Sequence, residues 1–210
     1  MSTLDSFLPE VRPWAPGVPD ATAYRAIRNA AIEFCERTLM WKYENTIAVL
    51  ATDSSTRSMT SPAGSVPHDI EVATFEAIEL DPIAARDMDA KLPGWRDTSA
   101  STGTPKYLTQ IDHDTLTIVP APIGDGSLYV RMRLKPSQTA TTLPDFLTKY
   151  AECIGWGALG RILTVPGQSY TNPDLGAFYA TRFREKIDNL SGMATKGQQN
   201  ARKRTKARFY

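Results

Sequence analysis

The stretch LPDFLTKYAECIGWGALGRILTVPGQSYTNPDLGAFYATRFREKIDNL, Leu143 to Leu190, carries two successive helices, and the rest of the fold is arranged around them. Pro144 opens the first of the two at a position where its missing N–H costs nothing. Leu147, Tyr150, Ala151, Ile154, Ala158 and Ile162 then recur at three- and four-residue spacing until Pro166-Gly167 ends the run. Gly155, Gly157, Ala158 and Gly160 leave a shallow groove on this helix where another backbone can approach closely. In an exposed helix each glycine costs roughly 0.5–1 kcal/mol relative to alanine, so close helix packing is the expected return. Asn172-Pro173-Asp174 starts the second helix with a cap, a proline and an acid, and Gly176, Tyr179, Ala180, Phe183, Ile187 and Leu190 carry its stripe to about Leu190.

An earlier helix precedes them. Asp20 reads as its N-cap, and Tyr24, Ile27, Ala31, Phe34, Cys35, Thr38 and Trp41 form one stripe to about Met40, with Arg25, Arg28, Glu33, Glu36 and Arg37 opposite. From about Thr46 to Pro136 the period changes to two. Ile47, Val49 and Ala51 alternate, as do Ile70, Val72 and Thr74, and most regularly Leu128, Val130, Met132 and Leu134 against Tyr129, Arg131, Arg133 and Lys135. The spacing predicts about five or six short antiparallel strands and a short helix near Ile83 to Lys91. The fold class is therefore α+β, a three-helix bundle with an inserted antiparallel β-unit and extended N- and C-terminal arms. The boundaries are an extended Pro-rich arm over 1–20, helices over 21–43 and 142–190, the β-unit over 44–141 and a basic tail over 191–210.

The two ends differ in character. Pro9, Pro13, Pro16 and Pro19 surround Phe7, Leu8, Val11 and Trp14, which predicts an extended path with apolar side chains lying on something. Lys196, Arg202, Lys203, Arg204, Lys206 and Arg208 crowd the last fifteen residues with no acid among them. Removing those six from the 24 basic residues leaves 18 against 23 acidic ones, so the formal net charge of +1 conceals an acidic body with a basic tail. Beyond Ser191 too little is apolar to offset the entropy of ordering, and the tail is expected to stay mobile until it meets a partner.

Several function classes find no support. Apolar runs around Ile154 and Leu159 stop well short of the ~20 residues a membrane span needs, no charged-then-apolar leader opens the chain, and no membrane partner is expected. Cys35 and Cys153 sit in apolar stripes, too few for a disulfide framework or zinc site, and fit folding in a reducing cytoplasm. His68 and His113 lie in turn-like settings without a partner at metal-ligating spacing, and Asp112-His113-Asp114 reads as a β-turn rather than a metal cluster. Gly155-x-Gly157-x-x-Gly160 matches a dinucleotide pattern but lies inside a helix, and no nucleophile elbow or phosphate loop is present. No catalytic residue, cofactor or metal is assigned. From charge alone, Arg202-Lys203-Arg204 can bind nucleic acid phosphates, dock on an acidic protein surface or remain solvated.

The order of four segments resembles the head-to-tail adaptor of tailed bacteriophages, the neck or connector family also called tail tubular protein A in short-tailed phages. The segments are Pro9 to Trp41, Leu92-Pro93-Gly94-Trp95, Leu116 to Pro122, and Leu143 to Ile187 with its Leu-Pro-Asp start, Gly-Ala-Leu-Gly-Arg at 157–161, Pro166-Gly167, Asn172-Pro173 and Phe178-Tyr179. The resemblance implies a non-enzymatic virion protein, made in the host cytoplasm and forming a homo-oligomeric ring, a dodecamer, in the neck. Its partners would be the portal protein above and a downstream tail or nozzle protein below, with genomic DNA passing through the lumen without sequence-specific binding. It also implies that the tail, Lys196 to Arg208 with Phe209 and Tyr210 at its end, is a portal-docking arm rather than a DNA grip. Acidic side chains lining such a lumen would keep passing DNA from adhering, and a strongly basic lumen would contradict this. The rivals are a nucleic-acid-binding protein using the same tail and a hydrolase or metal enzyme centred on His113.

Overall fold

The computed structural model describes residues 1–50, 56–97 and 102–196, with side chains through Gly192. Along the chain come β1 (Ser2–Thr3), a 3-10 segment (Leu4–Glu10), α1 (Asp20–Thr38), β2 (Lys42–Val49), β3 (Thr56–Ser58), β4 (Ser65–Phe75), β5 (Ile78–Glu79), β6 (Asp81–Pro82) and α2 (Ala85–Lys91). Then follow β7 (Thr102–Gly103), β8 (Tyr107–Thr109), β9 (Thr115–Val119), β10 (Ala121–Pro122), β11 (Gly126–Pro136), β12 (Thr142–Leu143), a second 3-10 segment (Asp145–Tyr150), α3 (Ala151–Ile162) and α4 (Pro173–Lys196). The fold is mixed α+β, as the periodicities predict. Two compact units divide the chain. A helical unit takes Met1–Trp41, Gly64–Val66 and the chain from Lys135 on, and a β-unit takes Lys42–Ala63 and Pro67–Leu134.

In the helical unit α1, α3 and α4 pack on one another, and Ile27, Phe34, Ile154, Leu159, Phe183 and Ile187 are buried among them. The N-terminal segment corrects the expectation of an extended arm. Only Ser2–Thr3 is extended, pairing antiparallel with β12, and Leu4–Glu10 coils into a 3-10 helix that lies on α1 and α3. Leu4, Phe7, Leu8, Val11 and Ala15 are buried. Proline fixes φ near −65°, which suits a helical turn as well as an extended path, and the 4-7-8-11 spacing of the apolar residues is itself helical. Pro19, not Asp20, occupies the N-cap of α1; Asp20 sits in the first turn, where its carboxylate pairs with Arg12 at 2.8 Å. The helix stops at Leu39, whose φ of 56° is the left-handed conformation that closes helices.

The helix expected from Pro144 is split into the 3-10 segment and α3, with Tyr150 at φ −116° and ψ 20° as the joint. α4 is capped as its sequence suggests, since the Asn172 side-chain oxygen accepts from the Leu175 N–H at 3.1 Å. It runs to Lys196, six residues past the expected end at Leu190. Asn172→Ala is expected to lower stability by about 1 kcal/mol, seen as an earlier urea midpoint with an unchanged slope.

The β-unit holds more and shorter strands than predicted, and some pair in parallel. One sheet has the order β2-β11-β4-β5 and the other β3-β9-β8-β6. β6 pairs with β8 and β10 with β7 in parallel, which two-residue strands show no sign of in sequence. β11 is the clearest strand because Leu128, Val130, Met132 and Leu134 are all buried while Tyr129, Arg131 and Arg133 take the other face. On that face Arg131 pairs with Glu44, and Arg133 with Asp69, each at 2.8 Å. β4 departs from expectation: Ala73 and Phe75 are buried, whereas Ile70, Val72 and Thr74 are half-buried, so both faces of this strand are partly covered. His68 lies exposed within β4 and not in a turn.

The Leu92-Pro93-Gly94-Trp95 motif has a structural role in the β-unit. It follows α2, and Gly94 at φ 82° turns the chain so that Trp95 packs with Met88 and Val119. The Trp95 indole N–H donates to Asp89 at 2.8 Å and Arg96 pairs with the same carboxylate, which holds Asp89 below the usual carboxylate range.

Candidate docking surfaces

The small-residue face of α3 is filled from within the helical unit. A Cβ placed on Gly155 would stand 2.6 Å from the Glu10 Cβ, and one on Gly157 would stand 2.8 Å from the Phe183 ring and 2.9 Å from the Ala30 Cβ. At Gly160 it would be 3.1 Å from the Ala180 Cβ, and Ala158 is buried. The N-terminal segment, α1 and α4 therefore make the close approach that these residues permit. Beside them lies a cleft of about 280 Å³ that Arg161 crosses, donating to the Gly157 carbonyl at 2.7 Å and pairing with Glu33.

The groups singled out as candidate chemistry are dispersed. Asp112 to Asp114 form an exposed turn between β8 and β9, in which the Thr115 N–H donates to the Asp112 carbonyl at 3.3 Å. Cys35 and Cys153 are buried, and burial pushes both thiols up to about 12, far from reactivity at neutral pH. Among the described residues no group of three or more His, Cys, Asp or Glu could hold a metal, and no helix is long and apolar enough to cross a membrane. Of the basic tail, Lys196 ends α4, while Arg202, Lys203, Arg204, Lys206, Arg208, Phe209 and Tyr210 lie outside the described residues.

Two surfaces not singled out by sequence emerge instead. On the helical unit Trp14 meets Tyr179 edge-on with centroids 6.0 Å apart, Tyr179 meets Phe178 at 5.5 Å, and Arg182 lies 5.0 Å over Phe178 and 5.7 Å over Trp156. Phe178 and Trp156 fall off the buried stripes of their helices, and that is the signal that could have marked them.

On the β-unit the pairing of Val49 with Gly126 and of Phe75 with Ile78 brings Leu50, Glu76, Ile78 and Asp125 to one end of a sheet. This unit contains 8 basic and 13 acidic residues, so the acidity of the body resides there. Such an end is assembled by register between distant strands, and local sequence carries little sign of it.

Exposed apolar and charged surfaces of this kind fit assembly. Residues 2–207 match the family described as SU10 adaptor protein. The chain belongs to the SU10 adaptor protein family. It is thus a phage adaptor, a structural protein of the virion that associates with other virion components, and the family is not an enzyme class. No curated protein matches the chain. The SU10 adaptor match takes in both units and extends into the basic tail.

Proposed function

We propose that this SU10 adaptor protein is a subunit of a neck ring, of the tail tubular protein A type, that joins the portal to the tail and extends the DNA channel. The match from residue 2 to residue 207 carries the reading, because it covers the folded units and most of the tail together. In the ring, a dodecamer, the three long helices act as a rigid bundle and the β-unit as an insertion offering a second contact surface. Closed rings need one surface of each subunit to meet a different surface of the next, and the chain has two unlike surfaces to offer. The basic tail, with its docking residues from Lys196 to Tyr210, docks on the portal, with Phe209 and Tyr210 as its anchors. Terminal aromatics suit burial in a protein pocket and gain little in solvent.

Removing only Phe209 and Tyr210 is expected to weaken portal binding about tenfold or more, measured by calorimetry with purified portal. Unchanged affinity would count against the docking arm. The same tail could instead hold nucleic acid, in which case deleting 197–210 abolishes a salt-dependent DNA affinity of the isolated chain and leaves portal binding intact.

A further inference from the structure

Resting on the ring reading, we propose that the aromatic face of the helical unit docks on the acidic sheet end of the β-unit of a second copy of this chain. The donor face has unusual exposure for large apolar groups, with Trp14 at 55% and Phe178 at 50%. Arg182 stands exposed between Phe178 and Trp156, and no carboxylate pairs with it among the described residues. Trp, Tyr and Arg are the residues that dominate interface energetics, and here they adjoin on one surface.

The acceptor end has the complementary make-up. Ile123 is 73% exposed, Ile78 52% and Leu50 48%, and these apolar residues fall on the chain segments that meet at this end of the sheet. Glu76 and Glu79 lie on either side of Ile78 in the β4–β5 hairpin, and Asp125 immediately precedes β11. One oxygen of Glu76 is committed to the Ser127 N–H at 2.6 Å, which holds the Glu76 turn against the start of β11. Glu79 meets no cation among the described residues. An aromatic surface bearing an unpaired arginine thus faces, in another copy, an aliphatic surface bearing an unpaired glutamate. The two charges are opposite in sign, and neither surface is self-complementary. A two-fold dimer through either one alone would bring only like charges to the interface, whereas joining the two unlike surfaces pairs opposite ones. Joining unlike surfaces leaves each copy with one of each still open, so the contact propagates from copy to copy until it closes.

Charge reversal on each side tests the pairing, with sedimentation velocity of the full chain as the readout. Arg182→Glu and Glu79→Lys are each expected to weaken self-association about tenfold or more. Mixing the two variants in equal amounts, or combining both changes in one chain, is expected to restore it, because every contact then meets an opposite charge. Self-association that ignores both reversals, or loss that neither mixing nor combination repairs, overturns this pairing and leaves the ring reading standing. Association lost on deleting 197–210 but insensitive to the reversals would assign the acidic end to the basic tail and equally overturn it. A wild-type chain that stays monomeric both alone and with portal would overturn the ring reading itself.

Discussion

Phe7→Ala is expected to destabilise the helical unit by about 3–5 kcal/mol, the range for emptying a fully buried aromatic site. Phe7 is completely buried in a 3-10 segment that packs on α1 and α3, so truncating it leaves a cavity between packed elements. Urea unfolding monitored by helix signal gives the measurement. If the N-terminal segment were an arm waiting for a partner, the substitution would leave the isolated chain unchanged, and that outcome would refute the packing described for it. Trp14→Ala, seven residues on and half exposed, is the contrast: it loses only the edge-on contact with Tyr179, and its effect on stability should stay at about 0.5–1.5 kcal/mol. The proline-rich segment therefore has an inner part that belongs to the core and an outer part that faces away from it.

Gly157→Ala carries the second large effect, and its sign runs against helix propensity. Alanine in place of glycine within a helix ordinarily gains about 0.5–1 kcal/mol. At Gly157 the new methyl would stand 2.9 Å from the Ala30 Cβ, an atom fixed to α1 and unable to rotate aside, as well as 2.8 Å from the Phe183 ring. Pushing α1 away from α3 is an overpacking cost of about 1–3 kcal/mol, so net destabilisation is expected. For a chain of this size each kcal/mol lowers the melting temperature by roughly 2–4 °C. Gly192 in α4 is the control, since an added Cβ there meets nothing within 4 Å and Gly192→Ala should stabilise by the propensity term alone. A melting temperature raised equally by both substitutions would show that α1 and α3 are not in close contact at this position.

What could be read in advance depended on whether the signal was local. The alternation from Leu128 to Lys135, the stripe from Ile27 to Thr38 and the Asn172-Pro173 start are each contained in a few consecutive residues, and each stands where its pattern places it. The N-terminal segment was also locally encoded, but its prolines mask the helical spacing of Leu4, Phe7, Leu8 and Val11. The half-buried faces of β4 and the two-residue parallel pairings depend on what lies across from them, which alternation does not report. The acidic end of the sheet is the extreme case, being made of residues from three separate segments joined only by strand register. For the tail, charge and the aromatic pair Phe209-Tyr210 are all the sequence offers.

The insertion also has a consequence for the order in which the chain is made. When α1 emerges, the helices that will cover Phe34 and Ile27 are more than a hundred residues away, and bringing such distant segments together costs several kcal/mol in chain entropy. The β-unit is complete in sequence before α3 exists, and its outermost register sets Lys42 opposite Arg133. Once that pair has formed, the long intervening loop is already closed, and α1 and α3 are separated by a short tether. The β-unit thereby works as a clasp during synthesis, and weakening its β2–β11 ladder should slow the folding of helices it does not belong to.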